Sequence, residues 1–225
     1  MASSCQSLAG EFEDGMRAWE RKDYATAKEK FTKIAEQGNA EAQIRLGFIH
    51  YYGLGVAKNY QQAAYWMRKA AEKGNIDAQF VLGSMYLRAE GLTLDYKQAM
   101  YWILKAAELG NADAQNSVGK MYAQGLGVIQ DNKQAVYWFT QSAEQGNAEG
   151  QITLGRMYLL GKGVLPNMLM SHMWFNIAAA NGSNEAIKTR DELAKVGMSG
   201  QQIELAQQMA KQCQSQNYKN CDKIN

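Results

Sequence analysis

The chain has 225 residues, enough for one domain or two small ones around a real core. A composition that is 46% hydrophobic, 20% charged and 10% aromatic excludes disorder as the dominant state. The formal net charge of +2 gives no drive towards nucleic acid or a membrane surface, and no apolar run approaches the roughly 18 residues of a membrane span.

A single proline suits a helical protein, so the 21 glycines need a specific reason. Their positions supply one. Gly38, Gly74, Gly110, Gly146 and Gly182 stand 36 residues apart, and Trp66, Trp102, Trp138 and Trp174 keep the same interval. The pairs Leu46-Gly47, Leu82-Gly83, Val118-Gly119 and Leu154-Gly155 share that register. A period of this length marks a solenoid, because one unit cannot bury its own apolar face and must stack on its neighbours.

Residues 8–38 read as a shortened capping unit, running from Phe12 through Tyr24-Ala25-Thr26-Ala27 to Gly38 without a Gly-x-Gly loop. Units 39–74, 75–110, 111–146 and 147–182 each read as two helices. In the first unit Asn39 caps a helix whose Ala42, Leu46 and Ile49 recur at helical spacing, and Gly53-Leu54-Gly55 ends it near Tyr52. Asn59 and Gln62 form a cap pair for the second helix, repeated as Asp95/Gln98 and Asp131/Gln134. That helix carries Ala63, Trp66 and Ala70 and stops at Gly74, a left-handed position. The small residues Ala42, Gly47 and Ala63 let backbones approach, and Met85, Met121 and Met157 recur as core residues. Beyond Gly182, Asn184 to Lys195 makes one more first-type helix. Ser199 and Gln202 then form a capping box that opens a final helix, Gln201 to about Gln214, covering the last repeat. No interdomain linker is visible, so 1–225 is expected to be a single domain, with 183–225 as its C-terminal cap and tail.

Cys213 and Cys221 lie close enough to bridge and staple the C-terminus; two free thiols in a reducing compartment are the alternative. Their spacing fits no common zinc pattern and His50 and His172 stand far away, so no metal and no cofactor are expected. His50 is expected to be a packed, hydrogen-bonded ring, and His172 to lie at the surface.

The motif Ala-x-Gln-x-x-Leu-Gly-x-x-Tyr-x-x-Gly-x-Gly-Val, followed by Asp/Asn-x-x-x-Ala-x-x-Trp-x-x-x-Ala-Ala-x-x-Gly, resembles the Sel1-like repeat family, a relative of the tetratricopeptide repeats. Ala114-Gln115 through Gly127-Val128 to Gly146 follows it, with Ser142 in place of one Ala. Elsewhere His50 replaces the Tyr, Ala89 the first loop Gly, and Met168 to Ser171 blurs the fourth second-helix start. The resemblance implies an all-α, right-handed superhelix of helix-turn-helix repeats acting as a non-enzymatic scaffold for a protein or peptide partner. It also implies a frequent home in the bacterial envelope, with some members neutralising a secreted effector as immunity proteins. The tail from Ala206 to Cys221 is similar to those of exported members. The expectation is therefore a periplasmic or secreted protein whose leader is absent from this sequence, with Cys5 as a candidate lipidation site and a cytoplasmic home as the alternative.

Positions held fixed between units serve stacking, so variable first-helix positions are available to a partner. Three of these lie four residues apart on one face, taken as the concave one: Ile44/Phe48/Tyr52, Phe80/Ser84/Arg88, Asn116/Lys120/Gln124 and Ile152/Arg156/Leu160. With Arg45 they predict a groove that is aromatic near the N-terminal end and polar to basic towards the middle. Packing of Phe48 and Phe80 between units is the competing reading, as is an ordinary solvated face for Arg88, Lys120 and Arg156. Ser117-Val118-Gly119-Lys120 spells the Ser-x-x-Lys nucleophile pattern of β-lactam-binding enzymes. The chain has none of that motif's companion segments, so a β-lactam-binding or hydrolysing protein using Ser117 is kept only as the alternative.

Overall fold

The computed structural model describes residues 2–223, with side chains from Gly10 onward, so the Cys5 side chain lies outside what is described. The described residues form twelve α-helices and no strand. The helices are α1 (Ala2–Glu20), α2 (Tyr24–Glu36), α3 (Ala40–Tyr52), α4 (Tyr60–Glu72), α5 (Ile76–Arg88) and α6 (Tyr96–Glu108). They continue as α7 (Ala112–Gln124), α8 (Asn132–Ala143), α9 (Ala148–Leu160), α10 (Met168–Ala180), α11 (Asn184–Gly197) and α12 (Gly200–Ser215). Two compact units result, Met1–Ala106 and Ala107–Asn225. In the first, α1 packs on α2, α2 on α3, α3 on α4 and α4 on α5; in the second, α7 through α11 pack in the same consecutive manner.

The repeat register explains each helix boundary. Asn39, Asn75, Asn111 and Asn147 accept a hydrogen bond from the backbone N–H three residues on, which starts each first helix. Asn59, Asp95 and Asp131 start the second helices in the same way, and Asn167 does so for α10 despite the unusual residues that follow. Gly53, Gly125 and Gly161 end first helices in the left-handed conformation, and Ala89 adopts it too, at φ 55°. The second loop glycine is needed for space as well. A Cβ on Gly163 would lie 2.1 Å from the Asn132 carbonyl oxygen, and one on Gly91 would lie 2.3 Å from the Tyr60 carbonyl carbon. Each loop therefore rests against the opening of the preceding second helix.

A buried amide recurs between hairpins. Gln43, Gln79, Gln115 and Gln151 donate from Nε2 to the carbonyl oxygens of Ala35, Ala71, Ala107 and Ala143 at 3.0–3.3 Å. Each ties a first helix to the C-terminal end of the helix before it.

The C-terminal cap differs from the repeats in an informative way. The capping box is reciprocal, with Ser199 N–H donating to Gln202 Oε1 and Gln202 N–H donating to Ser199 Oγ. The helix α12 makes its main contact with α10 rather than α11. Ala206, Met209, Ala210 and Cys213 are buried, Met209, Ala210 and Cys213 in a core shared with Met170, Met173, Trp174 and Ile177. This corrects the expectation for His172, which is only 1% exposed and paired through Nδ1 with Asn176 Nδ2 at 2.9 Å. The register of His172 is that of Ala64 and Met100, both buried, so its place in the repeat outweighs its polarity.

Beyond α12, Cys213 and Cys221 are both buried and meet as a sulfur pair with a Cα–Cα distance of 5.1 Å. The intervening loop holds Asn217, Tyr218 and Asn220 at positive φ. Tyr218 Oη donates to Asn181 Oδ1 at 3.2 Å, and the Asn220 N–H donates to Glu144 Oε1 at 2.9 Å.

Candidate functional site

In the first unit the faces of α3 and α5 form a cavity of about 140 Å³ lined by Phe48, Tyr51, Tyr52, Phe80, Val81, Ser84 and Arg88. Five of these seven, all but Tyr51 and Val81, are residues that the repeat pattern nominated. Phe48 and Tyr52 stack at 6.0 Å between centroids, and Tyr52 keeps 59% of its surface exposed. Tyr51 was not anticipated, because a Tyr next to a nominated Tyr points to a different helix face. Its ring meets Tyr52 and Tyr60 edge-on, and its hydroxyl donates to Glu90 Oε2 at 2.8 Å. Burial, and then the Glu90 carboxylate, raise the Tyr51 pKa against the smaller opposing pull of the Arg88 guanidinium, so the phenol stays neutral and holds Glu90 in place. Arg45 pairs with Glu41 at 2.7 Å and lies 5.2 Å over the Trp19 ring, which fixes its head and leaves no free charge there. Arg88 is exposed and has no ion pair among the described residues.

The remaining nominated positions behave differently, and the reading of a continuous open face is corrected. Ile44, Asn116 and Ile152 are buried, at 5%, 6% and 3% exposure. Ile152 packs against Phe175, Ala178 and Ala186, so the next hairpin covers it. The basic stretch is neutralised: Lys120 pairs with Glu149 at 2.9 Å, and Arg156 pairs with Glu185. Gln124 and Leu160 are exposed.

The Ser-x-x-Lys pattern is not assembled as a nucleophile and base. Ser117 Oγ donates to the Asp113 carbonyl at 2.9 Å, one turn back in its own helix, while the Lys120 ammonium is held by Glu149. His50 also departs from expectation: its Nδ1 is buried without a hydrogen-bond partner, and burial, followed by the nearby Lys28 charge, lowers its pKa. Among the described residues no helix is long and apolar enough to cross a membrane.

Consecutively packed helical hairpins, capped at one end and grooved on their first helices, define an α-helical repeat scaffold. The chain belongs to the Sel1 repeat family, whose model matches residues 40–75, 76–111, 112–147 and 148–183. It is similar to the crystal structure of a Sel1 repeat protein from Oxalobacter formigenes, with 30% identity over 88% of this chain and 84% of that one and a TM-score of 0.76. A protective antigen present in uropathogenic Escherichia coli strains is 28% identical, covering 97% of this chain and 56% of that one, with a TM-score of 0.57. An immunity protein from Pseudomonas aeruginosa shares the fold at 19% identity, with 96% and 84% coverage and a TM-score of 0.51. No curated protein matches the chain. Sel1 repeat proteins are protein-interaction scaffolds, and that general role applies here.

Proposed function

We propose that this chain is a non-enzymatic scaffold that holds a protein or peptide partner against the aromatic groove between α3 and α5. The observation that carries this reading is the half-buried Phe48 ring stacked on the exposed Tyr52, beside a cavity of about 140 Å³ and an Arg88 that is exposed and without an ion pair among the described residues. Aromatic rings and arginine are the residue types that dominate interface energetics, because they contribute large rigid area and forked hydrogen bonding. The rest of the reading is a single solenoid, 1–225, working in the bacterial envelope with Cys213 and Cys221 oxidised, either as an adaptor or as an immunity protein that neutralises a secreted effector. The family resemblance and the paired, buried cysteines support it. Nothing in the geometry of Ser117 favours the β-lactam alternative.

The test is an affinity capture from the native organism comparing the parent with a Phe48→Ala/Tyr52→Ala/Arg88→Ala variant whose helix content is verified. A partner retained by the parent and lost by the folded variant is the expected result. Equal retention by both moves the site off the groove.

A further inference from the structure

Two ion pairs close corresponding places in the second unit. Lys120 reaches Glu149 and Arg156 reaches Glu185, each across 29 residues, from one first helix to the first turn of the next. The same separation in the first unit joins Phe48 to Asp77. The acid is kept in the first turn of α5, but an aromatic ring stands where the cation would be. Asp77 is exposed and makes no ion pair among the described residues.

Asp77, Phe80, Ser84 and Arg88 follow one another at three- and four-residue steps, so they lie along one face of α5. The groove wall thus carries a carboxylate without an ion pair at one end, an aromatic cavity towards the other, and at that far end an exposed guanidinium that touches the Tyr51 hydroxyl but has no carboxylate partner among the described residues. The charged ends are three turns apart, about 16 Å at 1.5 Å per residue. The other nearby charges are engaged: Glu41 with Arg45, and Glu90 with Tyr51.

We propose that the groove recognises a bipolar peptide segment. A basic side chain of the partner pairs with Asp77, an aromatic or aliphatic side chain enters the cavity beside Phe48 and Phe80, and a carboxylate pairs with Arg88. In an extended strand at about 3.3 Å per residue, five steps separate the partner's two charges and two steps separate its apolar residue from its acid. This rests on the groove being the partner site and adds the partner's charge order.

The probe is the fluorescein-labelled peptide Lys-Ser-Ser-Phe-Ser-Asp, compared with its charge-swapped form Asp-Ser-Ser-Phe-Ser-Lys by fluorescence anisotropy against the full chain. The parent is expected to favour the Lys-first peptide by at least about threefold, the scale of two exposed ion pairs. The Asp77→Lys/Arg88→Glu variant, checked for helix content, reverses that order. The Phe48→Ala/Tyr52→Ala variant weakens both peptides and keeps the order. Equal affinity of the parent for both peptides, no binding of either, or an unreversed order in the charge variant overturns the proposal. If the two peptides bind equally but the aromatic variant weakens both, the groove stands and only its polarity falls. If the aromatic variant changes nothing, the groove itself is wrong.

Discussion

At the scale of single residues, His172 shows how position in a repeat overrides chemistry. Burial lowers its pKa, the Arg190 charge adds to this, and Asp191 opposes it weakly. The ring is therefore held neutral, with Nδ1 accepting from Asn176. A histidine with a folded-state pKa below the ordinary 6.5 binds its proton more readily when unfolded. Its stabilising contribution is complete above pH 6.5 and is lost as the pH falls from there towards the folded value. Thermal unfolding followed from about pH 7.5 to about pH 5 should show a midpoint falling with acidity, and falling less in His172→Gln. An identical slope in the variant would place the titrating group elsewhere, with His50 the next candidate because its shift has the same sign. The repeat pattern brings Phe48, Tyr52, Phe80, Ser84 and Arg88 to the lining of one cavity, since variability at helical spacing reports freedom from stacking. It failed for Ile44, Asn116 and Ile152 for the same reason read too broadly: a position can vary between units and still be covered by the neighbouring hairpin.

At the scale of helices, the boundaries were legible because each has a short-range chemical cause. An Asn or Asp accepts the first free N–H, and a left-handed residue stops the helix. The end of the stack was less legible, although its signal is present. In register, α11 carries Arg190-Asp191 where the repeats carry Leu46-Gly47 or Leu154-Gly155. A Cβ on the equivalent Gly83 would lie 3.0 Å from the Ala99 carbonyl oxygen and from the Ile103 nitrogen, so the glycine is what admits the partner helix so closely. With a charged pair in that place α11 cannot receive a second helix without burying two charges, and α12 turns to α10 instead. Arg190→Leu/Asp191→Gly restores the stacking pair to α11. The expected outcome is concentration-dependent self-association in sedimentation equilibrium with helix content kept. A variant that stays monomeric at every concentration would show that the charge pair does not terminate the stack.

At the scale of the whole chain, the tail beyond α12 secures the second unit. Tyr218 and Asn220 bind the ends of α10 and α8, in a loop where three non-glycine residues sit at positive φ. Such conformations cost about 1–2 kcal/mol each for L-residues and persist only when their surroundings enforce them. The cysteine pair supplies that enforcement by closing a short loop. Cys213→Ser/Cys221→Ser is expected to lower stability by about 2–3 kcal/mol in denaturant unfolding of the oxidised parent against the variant. No difference would mean that the hydrogen bonds alone hold the tail.

The glutamines that link successive hairpins have a separate consequence. Gln43, Gln79, Gln115 and Gln151 are uncharged and almost fully enclosed, so dissolved ions and protons have little purchase on the joints they make. The charges of Asp77 and Arg88 face open solvent, where dissolved salt screens them. Rising ionic strength therefore weakens any pairing made at Asp77 and Arg88 while leaving these buried joints intact.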